Sequence, residues 1–142
     1  MKTYVEFRSD QFPAYEDESE TINPGRFGKR LAEFLQLELN KRGINIDEPF
    51  AEDWGWVLPI RNENFKTWIG CGNYEEYPNG FLCFIEPHVP LVRRFFFKKI
   101  DTTKFIETIK NAIDDSLKSN SGVSNIKWWT HDEFNKLRKQ AP

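Results

Sequence analysis

Apolar residues recur along the chain with two different spacings. Near the N-terminus, Val5 and Phe7 alternate with polar neighbours, which is the period of two expected of a β-strand. Between Asn23 and Gly43 the apolar residues lie three and four apart, which is typical of an amphipathic helix. Asn23 and Pro24 suit the start of that helix, and Gly43 suits its end. The chain is therefore predicted to open with a strand and a helix.

The next part of the chain carries strand-like segments joined by short, turn-rich connections. They cover residues 54–60, 65–72, 81–86 and 92–98. Four strands in succession with short connections favour an antiparallel meander. Gly70 and Gly72 lie two apart in the second of these strands, where glycines mark a bend or the close approach of another group.

A second helix, a last strand and a short final helix complete the pattern. Asp101 is the candidate N-cap of the second helix, whose apolar stripe ends before Asn120. Residues 123–129 form the last predicted strand. Thr130 and Glu133 have the spacing of a capping box, which predicts a short C-terminal helix.

These elements predict an α+β fold in the order β-α-β-β-β-β-α-β plus the C-terminal helix. The economical arrangement is one antiparallel sheet of five to six strands, mixed at its edge, with two amphipathic helices on one face. The 142 residues are the length of one domain, so 1–142 is expected to be a single globular unit.

The chain has more aromatic residues than this arrangement needs. Aromatic side chains make up 15% of the sequence, and several predicted strands are apolar on both faces. Two helices cover only one face, so large rings remain on the other and call for a cover. Three covers fit: the long acidic connection 9–22 with its Phe12 and Tyr15, a second copy of the chain, or a bound partner or ligand.

Charge and cysteine content narrow the class of protein. The formal net charge is −2, with residues 1–53 acidic and residues 54–142 mildly basic, which disfavours a dedicated nucleic-acid binder. Cys71 and Cys83 form no Cys-x-x-Cys motif, and the first residues contain no apolar core of signal-peptide length. A cytoplasmic protein of bacterial type with reduced thiols and no membrane partner is therefore expected.

The residues that could carry catalysis have simpler interpretations. Cys71 and His88 are the one thiol–imidazole combination, but a cysteine in an apolar strand is usually an inert core residue. Glu38 falls inside a helical apolar stripe and is expected to pair with Arg42 one turn later. Neither a nucleotide-binding loop nor a metal-ligand motif occurs, so no catalytic residue, metal or cofactor is predicted, and an enzyme is disfavoured.

The surplus of rings favours a non-enzymatic binding protein that holds a protein partner, of the immunity-protein or antitoxin kind, or a second copy of itself. Its aromatic sheet face would supply anchors and its acidic loops would steer a basic partner. The candidates are Trp54, Trp56, Trp68 and Trp129 as anchors, and Glu16, Asp17, Glu18, Glu75 and Glu76 as steering charges. One alternative is a small-molecule pocket between the helices and a curved sheet, with weak enzymatic activity. Another is single-stranded nucleic-acid binding through the basic and aromatic strand from Arg93 to Lys99.

Overall fold

The computed structural model of the chain describes residues 1–18, 23–74, 77–95 and 98–140. Its elements, in chain order, are β1 (Lys2–Ser9), α1 (Lys29–Lys41), β2 (Phe50–Glu52), β3 (Gly55–Ile60), β4 (Thr67–Asn73), β5 (Gly80–Glu86), β6 (Leu91–Arg94), β7 (Lys98–Asp101), α2 (Thr103–Lys118), β8 (Val123–Thr130) and α3 (His131–Gln140).

Six of the strands form one sheet with the spatial order β2-β3-β4-β5-β1-β8. All neighbouring strands in it run antiparallel. The predicted α+β class with a six-stranded antiparallel sheet is confirmed. The segment 92–98, predicted as one strand of the meander, instead belongs to a separate two-stranded sheet made by β6 and β7.

The face of the sheet that α1 and α2 cover carries the main core. Val5 and Phe7 of β1 point to this face and are buried. Leu31 and Leu35 of α1 and Ile109 of α2 meet them and expose no surface. Each such side chain contributes roughly 1.5 to 3 kcal/mol by leaving water. The space between helices and sheet, where the sequence placed an alternative small-molecule pocket, is thus occupied by core side chains.

The first helix begins later than its sequence pattern predicts. It starts at Lys29 rather than Asn23, so the predicted start is wrong. The reason is a distant carboxylate, because Glu18 accepts hydrogen bonds from the backbone N–H groups of Gly28 at 2.9 Å and Lys29 at 3.2 Å. These amides at the helix N-terminus need an acceptor, and Glu18 takes the role expected of Asn23.

The other two helices begin within one residue of their predicted starts, although the N-cap of α2 is Thr102 rather than Asp101. The Asp101 carboxylate accepts a hydrogen bond from the backbone N–H of Thr103 at 2.8 Å. The capping box is confirmed in both directions, since Thr130 N–H donates to the Glu133 carboxylate at 2.9 Å and Glu133 N–H donates to the Thr130 hydroxyl at 3.0 Å. This box starts α3 directly after β8, with no intervening loop.

The described part of the acidic connection packs on the helix side of the sheet. The Phe12 ring is buried against Phe34 of α1 at 5.2 Å and against Phe81 of β5 at 5.8 Å between ring centres. The Tyr15 hydroxyl hydrogen-bonds the Glu33 carboxylate of α1. Of the three covers that the sequence left open, Phe12 and Tyr15 of the acidic connection do not supply one, because both lie on the helix side.

Candidate functional site

A row of aromatic rings crosses the second face of the sheet, the one that α1 and α2 leave uncovered. Trp54 contacts Phe84 at 5.3 Å and Trp68 at 6.2 Å between ring centres. Phe84 stacks on Tyr4 at 5.4 Å, and Tyr4 stacks on Phe134 of α3 at 5.0 Å. Aromatic pairs at these separations attract one another beyond their burial. The rings thus form one connected layer from the β2–β3 turn to the C-terminal helix.

Gly70 makes room for the centre of this layer. It pairs with Phe84 across β4 and β5, and a Cβ atom at Gly70 would lie 2.3 Å from the Cζ atom of the Phe84 ring. A Cβ at Gly72 would lie 3.2 Å from the backbone oxygen of Trp54. Of the two interpretations of this glycine pair, close approach by another group is the one the structure supports.

The C-terminal helix covers the half of the second face formed by β5, β1 and β8. Phe134 of α3 is buried on Tyr4. At the start of the helix, His131 stacks face to face on His88, with ring centres 3.8 Å apart. His88 Nδ1 also lies 3.0 Å from the Glu86 carboxylate. The chain covers this half with α3, a cover that the sequence pattern did not suggest.

The other half of the second face carries an open groove of about 670 Å³. Val57, Pro59 and Trp68 lie along it, with Phe50 and Trp54 beside them. Phe50 is 47% exposed and Trp54 is 37% exposed. Exposed rings next to a concave apolar surface mark a binding site more specifically than isolated exposed leucines do. We call this surface the β2–β4 groove.

The charges lining the β2–β4 groove are separated by sign. Glu52 lines the groove at the β2–β3 turn, and Arg61 and Lys66 line it at the β3–β4 connection. Five residue steps of β3 place these ends about 17 Å apart. Arg61 donates to the Asp47 carboxylate at 2.7 Å in an exposed ion pair, which contributes little to stability. The groove therefore offers an anionic end and a cationic end.

The predicted tryptophan anchors occupy three different environments. Trp54 and Trp68 lie in the groove. Trp56 lies on the helix side, is nearly buried, and donates its Nε1–H to Glu18 at 3.2 Å. The sequence placed Trp54 and Trp56 on one face, which is wrong because β3 begins only at Gly55 and its alternation does not reach Trp54. Trp129 lies on β8, away from the groove, and donates to Glu6 at 3.2 Å.

The predicted steering acids also separate. Glu16 and Asp17 are exposed but do not line the groove. Glu18 is buried and its carboxylate is fully engaged in hydrogen bonds, which contradicts a role as an exposed steering charge. Glu75 and Glu76 lie outside the described residues. Acidic character beside the groove comes instead from Glu52.

The residues considered for catalysis have structural roles. Cys71 and Cys83 face each other across β4 and β5 without accessible surface, and burial raises the pKa of the Cys83 thiol. His88 lies on the second face, so the sheet separates it from the Cys71 thiol. Glu38 binds Arg42 at 2.8 Å, as predicted, and this hydrogen bond lowers the pKa of the Glu38 carboxyl. Across the described ranges, no group of three or more potential ligands could hold a metal ion.

Comparison of the chain with protein-family models, with curated proteins and with solved structures finds no match. Within the described residues, no helix is both long and apolar enough to cross a membrane.

Sequence reasoning missed Phe50 and Lys66 as members of the site. Phe50 is the first residue of a three-residue strand, which is too short for an alternating pattern to reveal. Lys66 stands at the end of a turn, where a charged residue is ordinary. Their only sequence signal is position, since Phe50 lies two residues before Glu52 and Lys66 lies two residues before Trp68.

Proposed function

We propose that the protein is a non-enzymatic binding protein whose β2–β4 groove holds a segment of a protein partner. The observation that carries the proposal is the exposure of Phe50 and Trp54 beside the partly exposed Pro59 and Trp68 in the same groove. A Trp or Phe side chain exposed to water lacks the stabilisation that burial gives. Aromatic side chains, Trp above all, are enriched among the residues that dominate the binding energy of interfaces.

The charge pattern indicates the kind of segment. An apolar stretch would lie on Trp54 and Trp68, with a basic residue near Glu52 and an acidic residue near Lys66. Complementary charges at the two ends fix the direction in which the segment binds and speed its association. The expected partner is therefore a mixed-charge protein, which revises the expectation of a purely basic one.

The test compares a variant changed in the β2–β4 groove with a variant changed on the opposite side of the sheet. Wild type, Trp54→Ala and Leu37→Ser are immobilised, and the proteins retained from a host lysate are quantified by mass spectrometry. Leu37 is the matched control, because it is 56% exposed and lies on α1, on the other side of the sheet. A partner retained by wild type and Leu37→Ser is then purified, and its affinity is measured by calorimetry.

Truncating an anchor of this kind costs about 2 kcal/mol or more of binding free energy. Trp54→Ala should therefore weaken the affinity for the purified partner about 30-fold. Leu37→Ser should leave the affinity unchanged. Equal affinity for Trp54→Ala and wild type, with both proteins folded by circular dichroism, would contradict the proposal.

A small-molecule ligand is the second candidate, and the volume of the groove favours it. About 670 Å³ lies within the range of roughly 300 to 1,000 Å³ found for ligand pockets. Native mass spectrometry of protein purified from its host separates the two candidates. A bound small molecule lost in Trp54→Ala, with no protein partner retained, would favour the ligand.

A further inference from the structure

The β6–β7 hairpin carries four cations and one carboxylate, that of Asp101 at the end of β7. In its register Arg93 lies opposite Lys99 and Arg94 lies opposite Lys98. Like charges directly opposite each other destabilise a strand pair. Among the described residues, none of the four forms an ion pair with a carboxylate. Arg94 donates instead to the neutral backbone oxygens of residues 63 and 64, at 2.6 and 3.5 Å. Asp101 lies opposite Leu91, at the end of the hairpin away from Arg94 and Lys98. With four cations and one carboxylate, strands β6 and β7 carry a net charge of +3, concentrated toward the tip.

The tip of this hairpin presents an apolar ring to water. Phe95 is 80% exposed, the highest value among the large apolar side chains described. Its φ angle is +55°, a conformation that bulky residues seldom adopt. In the sequence two more phenylalanines follow it, at positions that lie outside the described residues. The ring lies 5.4 Å from the Arg94 guanidinium, and most of its surface remains in water.

The cations surround this tip rather than line one side of it. Successive residues of a strand point to opposite faces, so the pair Arg93 and Lys99 lies on one face of the hairpin and the pair Arg94 and Lys98 on the other. A single strand of nucleic acid would need rings and cations together on one face. A layer of anionic headgroups surrounds an inserted tip from every side, which matches cations on both faces.

We propose that the β6–β7 hairpin binds the surface of an anionic phospholipid membrane. Phe95 enters the boundary between headgroups and acyl chains, and the four cations contact lipid phosphates behind it. This contact needs no membrane-spanning helix and is independent of the β2–β4 groove. It revises the expectation that the protein has no membrane partner.

Vesicle co-sedimentation tests the proposal with two lipid compositions. One is phosphatidylcholine alone, and the other is phosphatidylcholine with one part in four of phosphatidylglycerol. Wild type should bind the anionic vesicles and be released by salt, and it should not bind the neutral ones. Arg93→Glu/Lys99→Glu should weaken the affinity for the anionic vesicles by more than about 20-fold. Each cation near such a surface raises that affinity about fivefold. Phe95→Ser should weaken it by about tenfold or more.

The matched control is Lys41→Glu/Lys127→Glu, which makes the same change in net charge at two exposed positions outside the hairpin. It should bind the anionic vesicles like wild type. Absence of wild-type binding at low salt, or equal loss in the control, would overturn the proposal. Binding of a mixed-sequence single-stranded oligonucleotide that depends on Arg93 and Lys99, without vesicle binding, would overturn it in favour of nucleic acid.

Discussion

Replacing Glu18 should lower the free energy of unfolding much more than replacing the exposed acidic residues beside it. Its buried carboxylate accepts hydrogen bonds from the backbone N–H groups of Tyr15 at 2.9 Å, Gly28 at 2.9 Å and Lys29 at 3.2 Å. It also accepts from the indole N–H of Trp56 at 3.2 Å. One side chain thus joins the acidic connection, the start of α1 and strand β3.

The cost of Glu18→Ala follows from the four N–H donors that lose their acceptor. A hydrogen bond to a charged group contributes about 1.5 to 3 kcal/mol, and a buried donor without a partner costs about 1 to 3 kcal/mol. The amides of Tyr15 and Lys29 are only partly buried, so water can hydrogen-bond to them and recover part of the lost free energy. We expect the free energy of unfolding to fall by about 3 to 5 kcal/mol. Glu18→Gln keeps one acceptor oxygen and should lose about half of that.

Urea denaturation followed by far-ultraviolet circular dichroism measures these changes in the free energy of unfolding. Each variant is compared with wild type at the same pH and temperature. Glu16→Ala is the control, since Glu16 lies two residues away and is exposed. It should change the free energy of unfolding by no more than about 0.5 kcal/mol. Equal effects of Glu18→Ala and Glu16→Ala would show that the Glu18 carboxylate does not hold α1 in place.

Two further predictions concern α3 and α2. Phe134→Ala should lower the free energy of unfolding by about 3 kcal/mol and speed amide hydrogen exchange throughout α3, because the buried ring on Tyr4 holds that helix to the sheet; unchanged exchange would contradict this. Partial burial raises the pKa of Asp114, but hydrogen bonds from Lys118 at 2.7 Å and from the Trp128 indole at 3.0 Å outweigh it and leave that pKa below its usual value. A lowered native pKa stabilises the fold above about pH 4 and this contribution is lost on acidification, so Asp114→Asn should lower the urea midpoint at neutral pH and have a much smaller effect near pH 3.

Local spacing in the sequence was enough to identify the helices and the main core. The stripe of Ile109 and Ile113 in α2 and the capping box of Thr130 and Glu133 involve residues three or four apart, whose relation is fixed by the helix itself. The neighbouring order of β3, β4 and β5 also follows from short connections, whereas the fourth strand predicted for the meander lies in the separate sheet of β6 and β7. These features depend on neighbours along the chain, which is why the pattern predicted them.

The roles of Glu18 and Trp56 depend on contacts that no local spacing contains. Glu18 reaches helix amides ten and eleven residues away, and the Trp56 indole that it also binds lies 38 residues along the chain. By sequence alone Glu18 is one acid in an acidic run, and Trp56 is one of two tryptophans separated by a glycine. The pairing of a buried acid with a buried indole removes both residues from the binding surface that the sequence assigned to them.

The position of the β2–β4 groove follows from the placement of α3 directly after β8. Because α3 begins directly after β8, it can fold back only over the strands nearest to β8. Its ten residues span about 15 Å, which is the width of about three strands and matches β8, β1 and β5. Phe134 and His131 fix it there through Tyr4 and His88. Strands β2, β3 and β4 lie beyond the reach of α3, so that helix leaves their rings on the second face uncovered.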